Sequence, residues 1–339
     1  MASFRLALLV AAALMPQYAV AQLRPYYYRN ICPNLDLIIR NSVKQSMAQS
    51  PISAPATLRL FFHDCAVQGC DASIMIMNSN GDDEQHNPDN MSLKPQGFNT
   101  ILSAKAAVDS DPQCKYKVSC ADIMAIAARE SISGGPYYEV ELGRYDGKVS
   151  TKASVVLPHA TFTLDQLNAY FSGLGVGGFT QSEMIALSLV SLSLHLRRTP
   201  DHLLPAAGLC VNNPGGHTLG AADCPFFQYR IGTDPTMDPN FAAQLKSTCS
   251  SNPNGFAFLD PSPVTFNNDY FKSLQGGKGL LGSDQVLFSD VRSRGTVNYY
   301  ATNQGAFFGD FMAAMTKLGR VGVKTAANGE IRRDCRFPN

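Results

Sequence analysis

Tryptophan is absent from the 339 residues, and that absence excludes nothing. Other gaps say more. After the N-terminal segment no run approaches the ~20 apolar residues that a membrane-spanning helix takes, so no membrane span is expected. No block is rich in lysine or arginine and the net charge is only +1, with pI near 7.5, so neither nucleic acid nor an anionic membrane surface is implied as a partner. No strand-like alternation matches the helical periodicities in length, and there is no internal repeat, no low-complexity tract and no G-x-S-x-G elbow of a serine hydrolase. What is present, 45% hydrophobic and 16% charged residues, suits a soluble globular protein of one large domain or two lobes.

The chain begins MASFRLALLVAAALMPQYAVAQ. Arg5 forms a short basic region, Leu6 to Met15 an apolar one, and Ala19-Val20-Ala21 a small-residue cleavage site before Gln22, the pattern of a secretory signal peptide over residues 1–21. The apolar run is too short for a membrane anchor, and Pro16 ends it. Export makes disulfides expected, and nine cysteines are present: Cys32, Cys65, Cys70, Cys114, Cys120, Cys210, Cys224, Cys249 and Cys335. An odd number leaves at least one unpaired. Cys65 and Cys70 are close enough to clip a tight loop, while spacing leaves the other connectivities open. Zinc is a rival ligand for His63, Cys65 and Cys70, but no second Cys/His pair of finger spacing follows.

Apolar residues recur every three to four positions at Leu35, Ile38, Ile39, Val43 and Met47, and again at Phe308, Phe311, Met312, Met315 and Leu318. CADIMAIAAR (120–129) reads as a nearly all-apolar, buried helix. Punctuation rich in Gly, Pro and Asn at 78–97, 133–136, 251–263 and 275–279 separates such segments, so the fold class is mainly α with irregular connections. One stretch departs from the pattern. Residues 189–214, LVSLSLHLRRTPDHLLPAAGLCVNNP, carry His195, His202 and Cys210 without a sustained period, between an apolar helix ending MIALS and the sequence GGHTLG. They read as an insertion.

The run LRLFFHDCAVQGCDAS (58–73) is apolar enough for a core yet carries Arg59, His63, Asp64 and Asp71, which are rarely buried without partners. With residues 56–67 helical, Arg59 and His63 share a face with Phe62 beside them, and Asp64 is turned about 100° away. A permanent cation one turn from a group that exchanges protons near neutral pH suits a pocket where a proton is shuttled while negative charge develops. The same pair would also cap neighbours in an interface helix, and the residues alone leave both open. On the other face Asp64, Asp71 and Ser73, with the carbonyls of Val67 and Gly69, form an oxygen set suited to Ca²⁺, preferred over helix-end capping because the donors cluster around the Cys65–Cys70 clip. His217 in GGHTLG follows two glycines that allow close approach to a flat partner, with the Thr218 hydroxyl next door; by itself, though, a lone histidine is more often a hydrogen-bonded core residue than a ligand.

Together LRLFFHDCAVQGCDAS, VSCADIMAIAAR, GGPYYEVELGRYDG, GGHTLG and LLGSDQVLFSD resemble the secreted plant haem peroxidases, the class III family, and the likeness runs from QLRPYYYRNICPN at residue 22 to IRRDCRFPN at the C-terminus. The resemblance implies a mainly α, two-lobed haem peroxidase fold: a distal lobe of about 22–165 with the C-terminal tail, and a proximal lobe of about 166–320 that carries the insertion 189–214. It further implies one haem b between the lobes, hydrogen peroxide as oxidant and small phenolic reductants, in a monomer exported to the cell wall or the vacuole. On this likeness His63 is the distal acid–base, Arg59 stabilises the departing charge, Phe62 walls the haem edge, and Asn90 in NPDNMSL holds His63 in the useful tautomer, so its N-x-S match is expected to be buried. His217 becomes the proximal iron ligand and Asp284 in GSDQ the carboxylate that accepts its other ring N–H.

The likeness also implies two Ca²⁺ ions. The distal one maps to Asp64, Val67, Gly69, Asp71 and Ser73 with Glu84 through water, and the proximal one to Thr218, Asp260, Ser262, Thr265 through its carbonyl, and Asn267. The loop LDPSPVTFNN is one residue shorter than usual and Asn267 replaces an aspartate, so weaker proximal binding is expected. The implied disulfides are Cys32–Cys114, Cys65–Cys70, Cys120–Cys335 and Cys224–Cys249, which leaves Cys210 over. Glu141 stands where the family usually has a proline at the substrate channel, and a carboxylate there is expected to alter which donors dock. The insertion ends two residues short of His217, in place of a continuous helix, and Val190-Ser191 is what a common splice-donor hexanucleotide would encode. The alternative expectation is therefore a haem-poor, catalytically impaired, wall-associated relative.

Overall fold

The computed structural model describes residues 23–132, 135–175, 177–191, 220–253, 255–262 and 265–339. Helix α1 (Leu35–Gln49) buries one stripe, Leu35, Ile39, Ser42 and Val43, as its periodicity predicts. Helix α2 (Ser53–Ala66) is buried on every face and carries the run with Arg59 and His63. Helices α3 (Pro95–Ser110) and α4 (Cys120–Glu130) close around it. The start of α4 is set by Ser119, whose hydroxyl accepts the Asp122 N–H at 3.1 Å.

Thr163 and Gln166 form a reciprocal capping box at the start of α5 (Leu164–Ser172). Helix α6 (Gln181–Ser191) runs three residues into the stretch read as an insertion; the rest of that stretch, with His195, His202 and Cys210, lies outside the described residues. Next come α7 (Pro239–Ser251), α8 (Asp269–Gln275), α9 (Gly282–Ser289), α10 (Val291–Thr302) and α11 (Gln304–Leu318). Strands β1 (Ala221–Asp223) and β2 (Phe256–Phe258) pair antiparallel with Ala222 opposite Ala257, the one sheet among the described residues. The class is mainly α, as expected.

One large apolar cluster runs from Tyr28 to Cys335 and takes in Phe62, Ile126, Phe171, Leu187, Phe271 and Phe311. Within it Phe266 stacks on Phe307 at 5.3 Å and meets Phe311 at 4.5 Å, which ties the loop before α8 to α11. A smaller cluster of Ala222, Phe227, Leu245 and Leu280 supports the sheet.

Charged groups hold the rest of the frame together. Asp122, fully buried, accepts from Arg144 Nη1 at 2.8 Å, the Tyr28 hydroxyl at 2.9 Å and the Gly143 N–H at 2.7 Å, which anchors the extended segment after α4. Disulfides join Cys32–Cys114, Cys65–Cys70, Cys120–Cys335 and Cys224–Cys249, the four pairs the resemblance implies. The last closes the loop that holds α7, and Cys120–Cys335 returns the C-terminal tail to the start of α4.

Candidate active site

Because α2 is buried on all sides, its polar side chains must find partners inside the protein. His63 is 3% exposed, and its Nδ1 lies 2.7 Å from Asn90 Oδ1. The amide of Asn90 is oriented by its own Nδ2, which donates to the Glu84 carbonyl at 2.8 Å. Oδ1 therefore faces the imidazole as an acceptor, so Nδ1 carries the proton and Nε2 carries the lone pair. Asn90 is 2% exposed, which removes its N-x-S sequence from glycosylation as expected. One turn back, Arg59 is 1% exposed and its Nη2 donates to Ser92 Oγ at 2.9 Å. Burial lowers the guanidinium to about 9, against a smaller upward pull from Asp89, so it stays cationic at neutral pH. Phe62 packs edge-on to His63 at 6.1 Å and against Phe171 at 6.0 Å, which fixes the helix face.

Arg59, Phe62 and His63 line one cavity of about 250 Å³. Its remaining wall comes from Pro88, Asp89 and Ser92, from the segment Leu157 to Thr161, and from Pro225, Phe226 and Tyr229. Glu141, expected at the substrate channel, is not part of this wall. Both its oxygens are bound by Arg320, at 2.7 and 2.8 Å, in a bidentate pair that lowers its carboxyl. Three prolines, Pro88, Pro158 and Pro225, do line the cavity.

The second face of α2 leads into a tight loop. Gln68 (φ +61°) and Ala72 (φ +57°) take left-handed backbone, and a Cβ on Gly69 would stand 2.5 Å from the Gly322 carbonyl oxygen, so position 69 admits only glycine. This turn brings Asp64, Asp71, Ser73 and Glu84 together, each less than a tenth exposed. Among the described residues no three His, Cys, Asp or Glu side chains converge as a ready-made metal cluster. The donors nevertheless fit a hard cation. Burial, then Asp71 and Glu84, push the Asp64 carboxyl well above the ordinary range, and burial, then Asp71, push Glu84 up to about 8. Lys324 reaches Asp71 only at 3.5 Å, and Glu84 Oε2 is buried without a hydrogen-bond partner among the described residues. Carboxylates so crowded call for a cation that also takes carbonyl oxygens, which is the chemistry of Ca²⁺.

Of the residues expected on the proximal side, His217 and Thr218 lie outside the described residues. Asp284 is fully buried; Oδ1 accepts the Tyr270 hydroxyl at 2.8 Å and Oδ2 the Leu281 N–H at 2.9 Å. Burial lifts its carboxyl to about 6 against those two bonds. Removing one donor by Tyr270→Phe is expected to cost about 1–2 kcal/mol, read from the midpoint of urea unfolding.

In the loop of Asp260, Ser262 and Asn267, Asp269 accepts from the Ser262 hydroxyl at 2.9 Å and the Asn267 amide at 3.0 Å. A carboxylate thus stands beside the Asn267 that was expected to lack one. Sequence reasoning missed Asp269, Tyr270, Ser92, Asp89 and Tyr229. Asp269 lies two residues from Asn267 and Asp89 next to Asn90, so both carried a readable charge, whereas the others gave no local signal.

The comparisons with known proteins point one way. The family model described as Peroxidase matches residues 39–303. Three proteins of Arabidopsis thaliana are similar over nearly their whole length. Peroxidase 45 is 49% identical over 332 residues, covering 93% of this chain and 91% of its own. Peroxidase 16 is 48% identical over 329 residues, covering 93% and 92%, and Peroxidase 51 is 44% identical over 345 residues, covering 97% and 96%. The chain therefore belongs to the peroxidase family, in its class III plant branch, and is an oxidoreductase that acts on hydrogen peroxide.

Proposed function

We propose that this chain is a secreted haem peroxidase that oxidises small phenolic donors in one-electron steps at the cavity beside α2. The observation that carries the reading is the chain of bonds from Glu84 through Asn90 to His63, at 2.8 and 2.7 Å, which leaves the Nε2 lone pair as a base next to the Arg59 guanidinium. His63 takes the proton from one oxygen of hydrogen peroxide and returns it to the other, which leaves as water. Arg59 stabilises the negative charge that develops on the departing oxygen. Phe62 walls the cavity and keeps the donor at its mouth. Haem b, expected between a distal lobe (about 22–165 with the C-terminal tail) and a proximal lobe (about 166–320), would supply the electrons for O–O cleavage, to be restored singly by two phenols. His217 is the residue that would hold the iron, and Asp284, with both oxygens already engaged, would accept its other ring N–H and fix the ring.

The distal loop would take one Ca²⁺ through Asp64, Val67, Gly69, Asp71 and Ser73, with Glu84 through water. A second would be held by Thr218, Asp260, Ser262, Thr265 through its carbonyl, and Asn267. Chelation is expected to lower the thermal midpoint by roughly 5–10 °C, as loss of a cation held at a thousandfold excess over its Kd removes about 4 kcal/mol. Scanning calorimetry with and without chelator checks this. Eight of the nine cysteines are bridged, which supports an oxidising, extracytoplasmic destination in the cell wall or vacuole. No helix among the described residues is long and apolar enough to cross a membrane. The working unit is a monomer.

The test is spectroscopic first. Protein refolded with hemin and Ca²⁺ is expected to show an imidazole-ligated ferric absorption spectrum and to oxidise guaiacol with hydrogen peroxide. A folded, colourless protein would instead establish the haem-poor alternative.

A further inference from the structure

We infer that the mouth of the distal cavity selects uncharged or cationic phenols over phenolic carboxylates, with Asp89 as the specificity-determining residue. The inference rests on the proposed reading of this cavity as the donor site. Leu157, Pro158, Phe226 and Tyr229 give the wall flat apolar faces that suit an aryl ring. The charged side chains on the wall are Arg59 and Asp89, with the imidazoles of His63 and His159. Arg59 is 1% exposed, deep beside His63, and bonded to Ser92. Asp89 is half-buried, nearer solvent, and its backbone N–H donates to Asn87 Oδ1 at 2.9 Å, which fixes the turn that carries it.

The Asp89 carboxylate has no hydrogen-bond or ion-pair partner among the described residues, and its field reaches Arg59. The two charges offset each other inside the cavity, while the rim keeps the negative one. A phenol entering with its hydroxyl toward His63 leaves its substituent at that rim. There a carboxylate meets a like charge, an ammonium an opposite one, and an alcohol neither, with the exposed His159 imidazole able to bond a hydroxyl.

The test uses three donors that share a para-hydroxyphenyl ring: tyrosol, para-hydroxyphenylacetate and tyramine. Their dissociation constants from the haem-loaded protein are measured by NMR without peroxide, and kcat and KM with it. The expected order of affinity is tyramine, tyrosol, para-hydroxyphenylacetate, with the carboxylate about three- to tenfold below tyrosol, as like charges about 8 Å apart at a partly solvated rim predict. The difference is expected in KM and Kd rather than in kcat. Asp89→Asn is expected to raise the carboxylate-to-tyrosol ratio by the same factor, and Asp89→Glu to preserve it. An unchanged ratio in Asp89→Asn, or a native preference for the carboxylate, overturns the inference. Absence of turnover with all three donors would overturn the peroxidase reading instead, while the dissociation constants would still decide the charge preference.

Discussion

Replacing His63 by alanine is expected to lower the rate of reaction with hydrogen peroxide by about two to four orders of magnitude, the range that a positioned acid–base contributes. The loss follows from the tautomer. With Nδ1–H committed to Asn90 at 2.7 Å, Nε2 is the atom in the cavity able to accept a proton from peroxide, and neither Arg59 nor Ser92 replaces it. Stopped-flow measurement of peroxide consumption by haem-loaded protein reads the effect, and circular dichroism checks that α2 is intact. A rate within tenfold of the native one would remove His63 from the acid–base role. Asn90→Ala, which frees the ring to change tautomer without removing it, is expected to give a smaller loss in the same assay.

Arg332→Ala is expected to cost about 3–4 kcal/mol of folding stability, the scale of stranding a buried charge. Arg332 is fully buried; Nη2 donates to the Ala72 carbonyl at 2.6 Å and Nη1 to the Cys335 carbonyl at 2.7 Å. Its Nε stands 3.9 Å from Asp146, itself fully buried and raised by that burial, with Arg332 the leading influence in the opposite direction. Three backbone N–H groups, of Cys120, Ala121 and Arg332, also hold Asp146, so the lower part of the usual range applies. Denaturant unfolding at fixed Ca²⁺ measures the loss, and a change below about 1 kcal/mol would mean that Asp146 is adequately held by those N–H groups. Because Ala72 lies in the loop proposed to take the distal cation, the same variant is expected to bind Ca²⁺ more weakly.

The reach of sequence reasoning differs from one residue to the next. Arg59, Phe62 and His63 were legible because they lie within five positions on one helix, and helical geometry is local. Asp64, Asp71 and Ser73 were legible for the same reason, being drawn together by a tight disulfide-clipped turn. Glu141 gave no sign of its partner: its position in a motif says nothing about Arg320, which comes from 179 residues further on and binds both its oxygens. Tyr270 gave no sign of its bond to Asp284, since a tyrosine in an apolar helix reads as core whatever its hydroxyl meets. Asp269 carries a readable charge, but nothing in the sequence shows that its side chain and that of Asn267 converge on Ser262.

By itself the sequence determined the mainly α class, the helices that carry the apolar stripes, and the single turn that sets Arg59 over His63. These depend on neighbours three or four residues apart and on the steric limits of the backbone. Tertiary packing alone decided that Asn90, 27 residues away, turns its Oδ1 to His63, that Asp89 is left at the cavity rim, and that Arg332 reaches back 260 residues to the Ala72 carbonyl. Such contacts form only when the core brings distant segments within hydrogen-bond range, and burial then makes each polar group depend on the partner it meets.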